Sequence, residues 1–187
     1  MSPAFRCDRA VDGFIHEGGR DLTGYEDGTE NPAGDAAVDA AILHGAGAGR
    51  DGSSFVAVQQ WCRDFDRFEA YAEAERDDII GRRRCDNVEF DEAPASAHVK
   101  RTAQESFAPE AFILRRSMPW AGAVGAGLIL VAFGKSFDAF EVQMRRMVGE
   151  EDQIVDGLFR FARPLSGSYF WCPLVAAGKL DLSALDM

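Results

Sequence analysis

The chain has 187 residues, of which 47% are hydrophobic and 27% are charged, a composition typical of a folded globular protein with one domain or slightly more. Its formal net charge of -11 disfavours nucleic acid and anionic membranes as partners, because both would repel it. No apolar run approaches the roughly 20 residues that a membrane-spanning helix needs, and the charged N-terminal stretch lacks the apolar core of a signal peptide, so we expect a cytoplasmic protein without membrane contact.

The first 54 residues are rich in Gly, Asp and Ala and show little hydrophobic periodicity. A stretch of this length without regular structure is unusual inside a compact domain, so we expect residues 1–54 to form a functional connector segment. Regular structure begins with a β-rich run at 55–61. Asp64 could then cap a helix that runs from 65 to about 80 and ends at Gly81. The ordered domain is therefore expected to span residues 55–187.

Residues 82–110 are charged and irregular, and they precede a strand predicted at 112–120. The next predicted strand, 127–133, is apolar on both faces, as expected of a central strand covered on both sides. Ser136 could cap a helix over 137–150, where apolar residues recur at helical spacing, and a last strand lies within 168–172. The resulting order, β-α-β-β-α-β, predicts an α+β fold of the ferredoxin-like, split β-α-β type.

The connector segment contains one motif that could carry chemistry, the run RDLTGYEDGTENP at 20–32. Gly24 and Gly28 bracket Asp27, and glycines permit sharp turns and a close approach to a flat ligand. Asp27 could therefore be held against a large ligand. The same residue types are common in solvated turns, however, and the spacing alone favours that interpretation.

Two segments of the expected domain also carry candidate site residues. His98 lies in the polar stretch before the strand at 112–120, although a lone histidine is more often a surface or satisfied core residue than a metal ligand. Alternate residues of a strand share a face, so Arg115 and Ser117 could enter one pocket together with Ile113. An edge strand with solvated arginines explains the same pattern equally well.

The cysteines and histidines limit the cofactor chemistry. The four cysteines form no CxxC pair and no CxxCH motif, which argues against a zinc ribbon and against covalent attachment of a c-type haem. With only three histidines, the chain is not expected to form a His-rich metal cage. One histidine could still serve as a single axial metal ligand. Asp27, His98 and Arg115 together suggest activation of hydrogen peroxide at haem, which needs a distal base, an axial ligand and a fixed cation.

The chain resembles the dye-decolorizing (DyP-type) haem peroxidases, and most of all their bacterial branch without an export signal. RDLTGYEDGTENP is similar to the GxxDG signature of that family, with residues 24–28 at its five positions. The resemblance continues in the family's order through SFVAVQQWCRDFDRF, DDIIGRRRCDNVEFD, SAHVKR, FILRRSMPW, GLILVAFGKSFDAF and LSGSYFWCPL. It implies a peroxidase that reduces hydrogen peroxide and oxidises bulky organic or dye-like substrates by one-electron steps.

The resemblance also implies roles for individual residues around one non-covalent haem b. Asp27 and Arg115 resemble the distal catalytic pair, and His98 resembles the axial ligand of the haem iron. The other residues that we expect to contact the haem are Arg82, which resembles a propionate-binding arginine, and Glu26, Gly28, Thr29, Ser117 and Leu130.

A carboxylate is expected to hold the second ring nitrogen of His98, because ligating histidines usually have such a partner. The sequence leaves three candidates for that role, Glu89, Asp138 and Glu141.

The chain departs from the family in length. Family members usually have two ferredoxin-like halves, and this chain matches the C-terminal half. We therefore expect a partner, either another copy in a homo-oligomer or a complementary N-terminal half. The alternative function is a non-catalytic haem-binding or interaction module that needs this missing half, but the presence of both Asp27 and Arg115 favours the enzyme.

Overall fold

The computed structural model describes residues 6–185. In chain order the helices and strands are α1 (Asp35–Ala41), β1 (Ser54–Arg63), α2 (Phe65–Glu69), α3 (Glu73–Ile80), α4 (His98–Arg101), β2 (Leu114–Arg115), β3 (Met118–Gly122), β4 (Gly125–Gly134), α5 (Asp138–Met147), β5 (Ala162–Cys172), β6 (Val175–Ala176) and β7 (Lys179–Leu180). Short 3-10 turns cover Gln104–Ser106, Gly157–Arg160 and Ser183–Leu185.

The main sheet is antiparallel, with the spatial order β2-β4-β1-β5, and β3 also pairs with β4. Leu114 of β2 lies opposite Phe133, and Met118 of β3 lies opposite Ile129, so β2 and β3 keep one register along β4. They are therefore one strand interrupted at residues 116–117. Counted in this way, the four strands have the order 2-3-1-4, which confirms the predicted ferredoxin-like α+β fold.

The helices pack on one face of this sheet. Phe55 of β1 contacts Phe137 just before α5, with ring centroids 5.2 Å apart, and Trp61 of β1 contacts Phe159 at 5.6 Å. Phe68 of α2 is fully buried in the same core cluster as Trp61. The alternation of β1 therefore directs its odd-numbered residues towards the helices.

The opposite face of the sheet is only partly covered. The N-terminal segment crosses one end of it, where Gly13 forms a bridge with Trp120 and Arg9 donates a hydrogen bond to Ser166 at 3.5 Å. Met118 remains 43% exposed although Gly13 of this segment lies beside it, and Phe170 is 52% exposed. An apolar sheet face that stays this open is a surface able to receive a partner.

Several element boundaries differ from the sequence prediction. The helix expected over 65–80 is divided into α2 and α3, because Ala72 adopts an extended conformation with ψ of 153° between them. The helix α5 ends at Met147, so Val148 leaves the apolar stripe and is 55% exposed. The strand β5 begins at Ala162 and continues through Pro164, which an edge strand tolerates because its outer N–H groups need no partner in the sheet.

Candidate active site

A cavity lies between the helix-facing side of the sheet and the helices α3, α4 and α5. Its apolar wall comes from alternate residues of the strands and from α5. The residues of this wall are Trp61, Ile113, Leu128, Leu130, Phe140, Met144 and Met147. The connector segment closes one side with Tyr25, Glu26 and Asp27. The cavity is thus a mainly apolar space with a small number of charged groups at defined positions.

His98 is the first residue of α4, and its ring lies in the cavity wall. Its Nδ1 lies 2.8 Å from Oδ2 of Asp156, a residue that is 1% exposed. The other carboxylate oxygen of Asp156 accepts the backbone N–H of Leu158 at 2.7 Å. A carboxylate that accepts at Nδ1 selects the tautomer of a neutral imidazole that carries its proton there, and in that tautomer Nε2 keeps a lone pair for a metal ion.

The sequence predicted Glu89, Asp138 or Glu141 as the partner of His98, and this prediction is wrong. Glu89 accepts a hydrogen bond from Arg82 at 2.6 Å, and Asp138 pairs with Ser136 at the start of α5. Glu141 faces Tyr169, whose pKa is raised by burial and by this carboxylate. Asp156 was missed because Asp-Gly is a common turn dipeptide and because 58 residues separate it from His98.

A second contact ties α4 to the turn that carries Asp156. Arg101, whose side chain is 5% exposed, donates to both carboxylate oxygens of Asp152 at 2.6 and 2.8 Å. The same guanidinium donates to the backbone oxygen of Arg146 at 2.6 Å. These bonds hold the pKa of the Asp152 carboxyl below its usual 3.8. The orientation of His98 therefore depends on two charged contacts with one turn.

Asp27 and Arg115 approach the cavity from different segments that are joined by Asn31. The Asn31 side chain accepts the backbone N–H of Arg115 at 2.8 Å and donates to the backbone oxygen of the same residue at 3.1 Å. Gly28 has φ of 75°, and a Cβ there would lie 2.8 Å from the Asn31 amide. This bridge fixes the Asp27 loop to the strand of Arg115, and nothing in the sequence pattern pointed to it.

Arg115 and Ser117 line the cavity together with Ile113, as the strand alternation predicted. Arg115 Nε and Ser117 Oγ are buried, and neither has a hydrogen-bond partner in the described part of the chain. Buried polar groups normally have partners, so unpaired donors at a cavity wall are typical of a site prepared for a ligand.

The remaining predicted haem contacts line an adjoining pocket, called the mouth below, which shares several lining residues with the cavity. Gly28, Thr29 and Arg82 line it beside His98 and Arg115. The Arg82 side chain is 10% exposed and donates to Glu30 at 2.5 Å as well as to Glu89. Glu26 pairs with Arg20 at 3.0 Å and lies at the same mouth. The structure therefore gathers all the predicted site residues around one cavity and its opening.

Two buried pairs at the inner wall were not expected from the sequence. Tyr25 donates a hydrogen bond to Asp77 at 2.5 Å. Burial, and to a smaller extent this bond, raise the pKa of the phenol well above 10.0, so Tyr25 stays protonated. Arg63 forms a buried ion pair with Asp21, and burial lowers the pKa of its guanidinium to about 10. At neutral pH the inner wall therefore carries a neutral phenol and a charge-balanced pair.

This arrangement can bind a flat apolar ligand and act on a small polar one. The neutral Nε2 of His98 can ligate a metal ion that the ligand carries, but within residues 6–185 no group of three or more His, Cys, Asp and Glu side chains could hold a metal alone. A carboxylate and a guanidinium at one cavity can move a proton and stabilise a developing negative charge. Among the helices of residues 6–185, none is long and apolar enough to cross a membrane.

Comparisons with known proteins agree on one family. The family described as "Dyp-type peroxidase, C-terminal" matches residues 18–177. A dye-decolorizing peroxidase of Rhodococcus erythropolis is 32% identical over 173 residues, which are 87% of this chain and 50% of that protein.

Solved structures give the same result. A dye-decolorizing protein from V. cholerae has a TM-score of 0.78 and 32% identity over 86% of this chain and 54% of that one. A variant of DypB from Rhodococcus jostii RHA1, solved in complex with heme, has a TM-score of 0.81 and 29% identity over 87% of this chain and 55% of that one. The chain spans about half the length of the curated relatives it matches.

Proposed function

The chain belongs to the DyP-type peroxidase family through its C-terminal domain, and from that premise we propose that it is the haem-bearing part of a peroxidase. Its substrates would be hydrogen peroxide and an organic reductant of bulky or dye-like character. The observation that carries the proposal is the single cavity that brings together the His98–Asp156 pair, Asp27 and the unpartnered Arg115 Nε.

The residues present fit one non-covalent haem b. The apolar strand and helix residues suit a macrocycle, and Leu130 would belong to its pocket wall. His98 would hold the haem iron through Nε2, because the Asp156 carboxylate holds the proton on Nδ1. The buried, unpartnered Arg115 Nε and Ser117 Oγ suit a second, open face where peroxide would bind.

At the cavity mouth we assign binding roles. Arg82 would neutralise a haem propionate in place of Glu30 or Glu89, while Glu26, Gly28 and Thr29 would line the haem edge. When bound, the haem would supply the redox chemistry, which is the two-electron reduction of peroxide coupled to one-electron oxidations of the reductant.

The chain's own residues would handle the protons and charges of that reaction. One hydrogen peroxide, two electrons and two protons give two waters, and two reductant molecules each supply one electron. Asp27 would move a proton from one peroxide oxygen to the other. Arg115 would stabilise the negative charge that develops on the departing oxygen, and Ser117 would hydrogen-bond at the same face.

A haem-binding or interaction half-module is the second candidate, and one observation favours it. The sheet face opposite the helices exposes Met118 and Phe170, and the curated relatives contain about as much chain again. In this proposal residues 1–54 connect to a complementary N-terminal half, or a second copy takes its place, while residues 55–187 form the haem-binding domain.

A haemin titration followed by peroxide tests the proposal. We expect one haem per chain by Soret absorbance, loss of binding in His98→Ala, and retention in the control His44→Ala, because His44 is exposed and outside the cavity. Addition of peroxide and a phenolic reductant should give turnover, and Asp27→Asn should slow it because the proton-transfer group is lost. Binding that is unchanged in His98→Ala would refute the proposal, and binding without turnover would select the half-module.

A further inference from the structure

A second concave surface lies behind the wall of the cavity and is not used by the proposed chemistry. This arginine groove, of about 700 Å³, is formed by the end of β1, the start of α2, the β3–β4 turn and the segment 159–163. Its charged lining consists of four arginines and two aspartates, and Phe65 and Phe159 form its walls: the arginines are Arg63, Arg67, Arg160 and Arg163. The groove is thus built from elements that also support the cavity.

The groove is locally rich in cations although the chain as a whole carries a net charge of -11. Two aspartates also line the groove: Asp64, whose carboxylate accepts the backbone N–H of Arg67 at 2.9 Å, and the exposed Asp66. Arg160 pairs with Glu75 at 2.5 Å, outside the groove lining. Arg163 is exposed, and no carboxylate of residues 6–185 lies within ion-pair distance of it. The lining therefore holds four guanidinium groups and two carboxylates, and Arg163 is a guanidinium with no ion pair among the described residues.

Arg63 gives the groove a buried donor at its base. Its side chain is only 8% exposed and lines both the cavity and the groove. One terminal nitrogen pairs with Oδ1 of Asp21, whereas Nε of Arg63 and Oδ2 of Asp21 have no hydrogen-bond partner among the described residues. A buried donor without a partner is unfavourable, and an acceptor brought by a ligand would relieve that cost.

The walls of the groove are aromatic as well as cationic. Phe65 and Phe159 are partly buried along it, and the Phe159 ring contacts Trp61 at 5.6 Å. Trp61 in turn lines the cavity. A planar ring seated on Phe159 would therefore be separated from the cavity by two aromatic side chains.

We propose that the arginine groove binds an aromatic carboxylate and that this class of molecule is the organic reducing substrate. The arginines and the unpartnered Arg63 Nε select the carboxylate, because guanidinium groups bind carboxylates with charge-assisted hydrogen bonds. The phenylalanine walls select the ring. The substrate part of the inference rests on the proposed peroxidase function, whereas the binding part does not.

Two matched probes test the binding part on the full chain without haem or peroxide. Vanillate and vanillyl alcohol share a phenolic ring and differ in the carboxylate. In a titration followed by NMR, we expect vanillate to bind at least about tenfold more tightly and to shift the amides of residues 159–163. Added salt should weaken vanillate more than vanillyl alcohol. Equal affinities for the two probes would overturn the proposal.

Charge reversal identifies the surface. Arg163→Glu should weaken vanillate about three- to tenfold, and it should fold normally because Arg163 has no ion pair to lose. The control Arg145→Glu changes another exposed arginine, on α5 and outside the groove, and should leave the affinity unchanged. Equal effects of the two variants would refute the groove as the site.

The haem-loaded chain separates this inference from the function on which it depends. With peroxide, wild-type chain should oxidise vanillate with a lower KM than vanillyl alcohol, and Arg163→Glu should remove that difference. Oxidation of both compounds with equal KM would refute the substrate assignment while supporting the peroxidase. Vanillate binding without oxidation of either compound would refute the peroxidase and support the groove as an anion site.

Discussion

Replacement of Asp156 by asparagine tests the central contact of the candidate site. The variant keeps the size of the side chain but removes the negative charge of a carboxylate that is 1% exposed. In the wild type this carboxylate accepts the Nδ1–H of His98 at 2.8 Å. A hydrogen bond to a charged group contributes about 1.5–3 kcal/mol. At 1.4 kcal/mol per tenfold, we expect Asp156→Asn to weaken haem binding by about 10- to 150-fold, which overlaps the roughly 10- to 100-fold loss typical of such outer contacts.

A haemin titration by Soret absorbance measures that loss, and nitrogen NMR of His98 in the haem-free chain measures its cause. In the wild type the proton should reside on Nδ1, whereas in Asp156→Asn both tautomers should be populated. The control Glu141→Gln makes the same chemical change on α5, where the carboxylate faces Tyr169 and not His98. Wild-type affinity and a wild-type tautomer in Asp156→Asn would show that the carboxylate does not orient His98.

Three further predictions follow from particular contacts. Arg115→Leu should slow the reaction with peroxide by about 10²–10³ in stopped-flow traces while haem affinity stays unchanged, and a wild-type rate would exclude the proposed charge stabilisation. Gly81→Ala should destabilise the chain by about 1–3 kcal/mol more than Gly178→Ala in urea unfolding, because both residues have positive φ but only a Cβ at position 81 would clash with the side chain of Val99. The pKa of Asp152 is lowered in the folded chain, so its bonds to Arg101 stabilise the fold above pH 3.8 and that contribution is lost as the pH falls through the folded value. Asp152→Asn should therefore be less stable than wild type at about pH 7 and equal to it in acid, and a constant difference would contradict this account.

The sequence predicted the parts of the site that depend on local periodicity. Alternation along one strand was enough to place Ile113, Arg115 and Ser117 on a common face, because side chains of a strand alternate strictly. The order of strands and helices likewise predicted the ferredoxin-like sheet, since that topology follows from the order of elements once the pairing is antiparallel.

The contacts that depend on tertiary folding could not be predicted. Asp156 reaches His98 only after β5 has paired with β1 and brought the preceding turn over α4. The break at Ala72 was hidden because Ala and Glu favour a helix on both sides of it. The full length of β5 was hidden because Pro164 and Gly167 weaken a local strand signal that long-range pairing overrides.

The amide of Asn31 has a consequence for how the site moves. It occupies both backbone groups of Arg115 in the way a neighbouring strand would, so thermal displacement of the Asp27 loop is coupled to the edge of the sheet. The N–H of Arg115 can exchange with solvent only when this contact opens. The hydrogen-exchange rate of this amide therefore reports how readily the loop detaches, and it can be measured without any cofactor or substrate.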